Sequence, residues 1–114
     1  MLSRLQSPSA HEIQPGWDDD LGILFLGGEI VKRFDKPAEN QRRILRAFQA
    51  ANWLPWIANP LKPDSEMDDR QRLADAVYML NRHQTNRLIR FRRDGKGTGI
   101  IWERVEKKKS RKKR

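Results

Sequence analysis

Residues 68–105, DDRQRLADAVYMLNRHQTNRLIRFRRDGKGTGIIWERV, read as one helix running directly into a β-hairpin. Over 68–86, Leu73, Ala76, Val77, Leu80 and Gln84 recur at helical spacing and make one stripe. Gln71, Asp75, Tyr78, Arg82 and Asn86 fall on the opposite face. Asp68 is placed to cap the helix, and Asp68-x-x-Gln71 has the spacing of a capping box. RLIRFRR and TGIIWERV follow as strand-like runs joined by Asp94-Gly95-Lys96-Gly97, and an Asp-Gly pair between such runs signals a hairpin. Leu88 or Ile89, Phe91, Ile100 or Ile101, and Trp102 supply its apolar faces. Arg90 and Arg92 share one face by alternation. With Arg93 and Lys96, and with Arg82 and Arg87 beside them, they make a basic edge.

Upstream of the helix, residues 53–67 are dense in proline, and Pro55, Pro60 and Pro63 forbid a long helix. A short helical turn over 55–59 is the most this connector offers, with Trp53, Trp56, Ile57 and Leu61 as core plugs. Residues 38–52 form a helix with Pro37 at its first position and Glu39 at the positive end of its dipole. Gln41, Ile44, Leu45 and Phe48 give its inward stripe, which leaves Arg42, Arg43 and Arg46 largely exposed. Residues 21–34 read as a hairpin turning at Gly27-Gly28, with Lys32 and Arg33 as strand-end charges or phosphate contacts. Residues 1–20 show no sustained period and read as a mobile arm that Trp17 pins to the domain. The expected fold is therefore α+β: an N-terminal β-hairpin, two main helices with a proline-rich connector, and a C-terminal hairpin. The expected domain spans 21–106, with a basic tail at 107–114.

The net charge of +9 is unevenly distributed. Residues 1–81 carry 10 Lys+Arg against 12 Asp+Glu, residues 82–106 carry 7 against 3, and residues 107–114 carry 7 against none. Basic charge gathered in one region points to a polyanion partner. The seven cations of the tail, Lys107, Lys108, Lys109, Arg111, Lys112, Lys113 and Arg114, add sequence-independent attraction to it.

Several chemistries are set aside. The chain has no cysteine, so disulfides, thiol catalysis and cysteine-ligated metals are excluded. The only histidines, His11 and His83, belong to no catalytic constellation, and DGKGTG lies between strands rather than opening a helix. A calcium-loop reading of Asp64, Glu66, Asp68, Asp69 and Asp75 lacks glycine at the sharp turn and glutamate at the last ligand. Acids gathered at a helix start explain that cluster. No cofactor and no enzymatic activity are expected. No run reaches the roughly 18 apolar residues of a membrane span, so no membrane partner is expected and the location is read as cytoplasmic, nucleoid-associated if the ligand is DNA.

Residues 21–105 resemble a winged-helix DNA-binding domain, and their element order resembles the effector domains of two-component response regulators. The likeness rests on Pro37–Phe48 as first helix, Leu73–Arg82 as recognition helix, and Ile89–Arg93 with Gly97–Trp102 as wing. PAENQRRILRAFQAANW, RLADAVYMLNR and LIRFRRDGKGTGIIWE also resemble a little-characterised family of bacterial winged-helix-like proteins. The departure is the proline-rich connector, which stands where a second helix belongs. The resemblance implies a helix in a DNA groove and a hairpin on the flanking backbone. Gln71, Tyr78, Arg82, Asn86, Arg87, Arg90, Arg92, Arg93 and Lys96, with the tail, are then the expected contacts to nucleic acid. DNA is favoured over RNA as the partner. The alternative is an interaction or accessory subunit of a larger nucleoprotein complex.

Overall fold

The computed structural model describes residues 14–61 and 68–105. In order they form β1 (Pro15–Asp18), β2 (Ile23–Leu26), β3 (Glu29–Arg33), α1 (Glu39–Ala50), β4 (Trp56–Ala58), α2 (Asp69–Asn81), β5 (Ile89–Arg93) and β6 (Gly99–Arg104). The fold is α+β, with two antiparallel three-stranded sheets of order β1-β2-β3 and β4-β6-β5.

The expected hairpin at 21–34 is present but gains a third strand. Pro15–Asp18, expected in the mobile arm, pairs with β2. Trp17 anchors it: the ring meets Phe34 edge-on at 5.3 Å, and the Trp17 N–H donates to Gln49 Oε1 at 2.8 Å. Residues 1–13, the rest of that arm, lie outside the described residues.

The apolar stripe of α1 is buried as its spacing requires, with Ile44, Leu45 and Phe48 fully inside. Pro37 is not the first helical residue, because Ala38 is the N-cap. The connector gives a strand instead of a helical turn. In β4, Trp56, Ile57 and Ala58 pair with Ile101, Ile100 and Gly99. Pairing suits the segment because its prolines flank the strand and its amide groups remain free to bond β6.

Asp68 caps α2 by accepting from the Arg70 N–H at 2.9 Å. Gln71 does not complete a capping box; its amide reaches forward to Asp75 at 2.7 Å. Leu73, Ala76, Val77 and Leu80 are buried as expected. The helix ends at Asn81 rather than running to 86. The Asn81 amide turns to the next strand, donating to the Phe91 carbonyl and accepting from the Phe91 N–H, both at 2.8 Å. His83 adopts a left-handed conformation with φ 58°, which turns the chain toward β5. Gln84, expected on the helical stripe, instead donates to the Leu80 and Ile89 carbonyls.

Lys32 is neither an exposed strand-end charge nor a phosphate contact. It is 7% exposed, and its ammonium donates to the Met79 and Arg82 carbonyls at the end of α2 and to Gln41 Oε1. A cation at a helix C-terminus satisfies orphan carbonyls and complements the dipole. Asn86 donates to the Ile30 carbonyl at 2.7 Å, and the Thr85 N–H to the Val31 carbonyl at 2.7 Å. These bonds join the first sheet to the end of α2. One apolar core, from Trp17 and Leu24 through Phe48 and Leu80 to Phe91 and Ile100, runs through both halves. Trp102, expected inside, is only partly buried against this core.

Candidate nucleic-acid interface

α2 and the β5–β6 hairpin flank an open groove of about 630 Å³. The helix lines it with Arg70, Ala74 and Tyr78, β5 with Arg90, Arg92 and Arg93, and the turn with Lys96. The helical residues recur at i, i+4 and i+8, so they project to one side. Arg90 and Arg92 are exposed on alternate positions of β5, between the buried Ile89 and Phe91. Five of the lining residues are Arg or Lys and none is Asp or Glu.

Ion pairing sets the arginines of α1 apart from most of the groove cations. Arg42, Arg43 and Arg46 of α1 pair with Asp19 or Glu39 at 3.0 to 3.6 Å. The bond from Arg46 holds the Asp19 carboxyl below its ordinary value. Arg70, Arg90, Arg93 and Lys96 make no ion pair with any described residue. Arg92 pairs with Glu103 across the hairpin and holds that carboxyl below its ordinary pKa. Arginine suits bidentate binding of phosphate oxygens, and Arg70, Arg90 and Arg93 stand around this concavity without an ion pair among the described residues.

Side-chain hydrogen bonds brace the hairpin turn. Asp94 accepts from the Lys96 N–H at 2.9 Å, from Thr98 Oγ1 at 2.8 Å and from Trp56 Nε1 at 2.9 Å. Led by the bond from Trp56, these donors hold its carboxyl well below the usual carboxylate range. Lys96 is carried on this braced turn. A second groove of about 430 Å³ shares Asn81 and Arg90 with the first and continues past Arg87 to Val105. The basic run of 107–114 begins two residues further along the chain.

Of the residues expected to contact nucleic acid, Tyr78, Arg90, Arg92, Arg93 and Lys96 gather around the first groove, and Arg87 lines the second. Gln71 is tied to Asp75 and does not line the first groove. Arg82 and Asn86 are not on the helix. Arg82 folds back over the Tyr78 ring, 5.3 Å from its centroid, and donates to the phenolic oxygen. Asn86 is turned to β3. Lys107, Lys108, Lys109, Arg111, Lys112, Lys113 and Arg114 lie outside the described residues. Arg70 was not among the expected contacts, although its spacing from Ala74 and Tyr78 marks it. Asp75 lines a different groove, with Glu39 and Met79, on the α1 side of the helix.

Among the described residues no group of three or more His, Asp or Glu side chains is disposed to hold a metal ion. None of their helices is long and apolar enough to cross a membrane. Comparison with protein-family models, with characterised proteins and with solved structures finds no match to this chain.

Proposed function

We propose that this chain binds nucleic acid, with one phosphodiester strand lying in the groove between α2 and the hairpin. The observation that carries the reading is the convergence of Arg70, Arg90, Arg92, Arg93 and Lys96 on a groove lined by no carboxylate. Phosphate contacts of this kind position a nucleic acid without reading its sequence. Duplex DNA is the ligand that the winged-helix resemblance implies. Against deep reading of base edges, Arg82 and Asn86 are engaged elsewhere and β4 stands where a second helix belongs. Tyr78 and Arg70 remain as the helix's contribution to the groove. Binding is therefore dominated by the backbone.

The test is a titration of the full chain against duplex DNA, single-stranded DNA and RNA over a range of salt concentrations. Arg70→Ala, Arg93→Ala and Lys96→Ala should each weaken binding to every sequence alike and reduce the salt slope by about one. Arg92→Ala should do less, because Glu103 already holds that guanidinium. Wild-type binding that ignores salt would sink the reading. Affinity only in the presence of a partner protein would favour an accessory subunit of a nucleoprotein complex.

A further inference from the structure

Three of the four tryptophans are built into ring clusters of the core. Trp17 meets Phe34 at 5.3 Å, Trp53 stacks on Phe48 at 5.1 Å, and Trp102 meets Trp53 edge-on at 5.8 Å. Trp56 contacts no aromatic ring among the described residues and is 46% exposed.

The register fixes where it points. Trp56 stands opposite Ile101 on β6, and Ile101 opposite Arg92 on β5. Directly opposed residues share a face, so Trp56, Ile101 and Arg92 form one row. Their chain neighbours Ile57, Ile100 and Phe91 are buried, which makes this the outer face of the sheet. The indole is held from two directions. Its Nε1 donates to Asp94, and a Cβ on Gly99 would come within 2.3 Å of Nε1 and 2.5 Å of Cε2. The ring thus rests against glycine backbone and stays about half exposed to water.

We propose that Trp56 is a stacking platform for an unpaired nucleobase, and that the ligand of this domain includes a single-stranded segment. The inference rests on the groove as the path of the phosphates and names the class of nucleic acid that follows it. A pinned, solvent-facing aromatic beside cations is what binds single strands without regard to sequence, since every base offers a π-face. Arg92 lies in the same row, two strand spacings or roughly 10 Å away, and also lines the groove. A strand held in the groove therefore reaches Trp56 within a short run of nucleotides. The two carboxylates near this row are both engaged, Glu103 with Arg92 and Asp94 with Trp56, Lys96 and Thr98. An apolar peptide has no use for the arginine in that row or the cations of the groove beyond it, which is why a nucleobase is the occupant.

The experiment follows intrinsic tryptophan fluorescence of the full chain while a mixed-sequence single-stranded DNA oligonucleotide, or its duplex, is added. The single strand should quench emission, because Trp56 is the exposed indole. Trp56→Leu should lose the quenching and weaken single-strand binding by about 5- to 100-fold, with duplex affinity unchanged. Trp56→Phe keeps a ring but not the bond to Asp94, and should fall between the two. Unfolding midpoints of both variants check that the sheet is intact. Equal single-strand affinity for wild type and Trp56→Leu overturns the proposal while leaving the groove reading in place. So does an equal loss for both ligands, which assigns Trp56 only to holding the turn. A wild-type chain that binds neither ligand overturns the groove reading itself.

Discussion

Lys32 carries a positive charge into the interior on a strand where alternation and position suggest a surface residue. Burial pushes its amine down to about 8 from the ordinary 10.5. The sign of the consequence follows from proton counting. Between about 8 and 10.5 the unfolded chain holds a proton that the folded chain has released, so stability rises with pH across that window. As pH falls through the window the gain disappears, and below about 8 both forms are charged. Lys32→Met should flatten this rise, as seen in urea unfolding at a series of pH values. A rise that persists in Lys32→Met would assign the titration to another group. The role of this lysine was not legible in the sequence. Its acceptors at Met79 and Arg82 arrive from 47 and 50 positions away, and no local pattern announces them.

α2 shows which part of an element is written in its sequence. Its inward face follows from the spacing of Leu73, Ala76, Val77 and Leu80, because one stripe must be buried and the period is fixed. Leu80→Ala should cost about 2–5 kcal/mol in denaturant unfolding, the usual range for a fully buried leucine. A loss under about 1 kcal/mol would mean the helix packs on another side. Its end was not written there, since Gln84 continues the period. What stops the helix is tertiary: the Asn81 amide takes both backbone groups of Phe91. The same holds for β4, three residues among prolines whose partners in β6 lie more than forty positions on. The hairpin was legible because its turn chemistry and both strands are local. So was the exposed placement of Arg90, Arg92, Arg93 and Lys96, while Arg82 and Asn86 were misplaced through the overlong helix.

Across the whole molecule, charge and structure divide differently. α1 keeps its arginines in ion pairs with Asp19 and Glu39, whereas Arg70, Arg90, Arg93 and Lys96 stand around the groove without an ion pair to any described residue. The tail adds seven more cations to the hairpin half. Deleting Lys107–Arg114 should weaken binding to all sequences alike and lower the salt slope by up to about six. The fold should be unaffected, because the segment contains no apolar residue. An unchanged slope would remove the tail from the binding mechanism. The bonds between the two halves also carry a kinetic consequence. Asn86 meets Ile30 across 56 positions and Lys32 meets Arg82 across 50. Closing loops of that length costs entropy before any contact compensates for it, so each half should form first and the join between them late. Asn86→Ala is then expected to steepen the loss of native protein in stopped-flow unfolding while refolding proceeds at the wild-type rate. If the refolding rate falls instead, the seam between the sheets belongs to the folding nucleus.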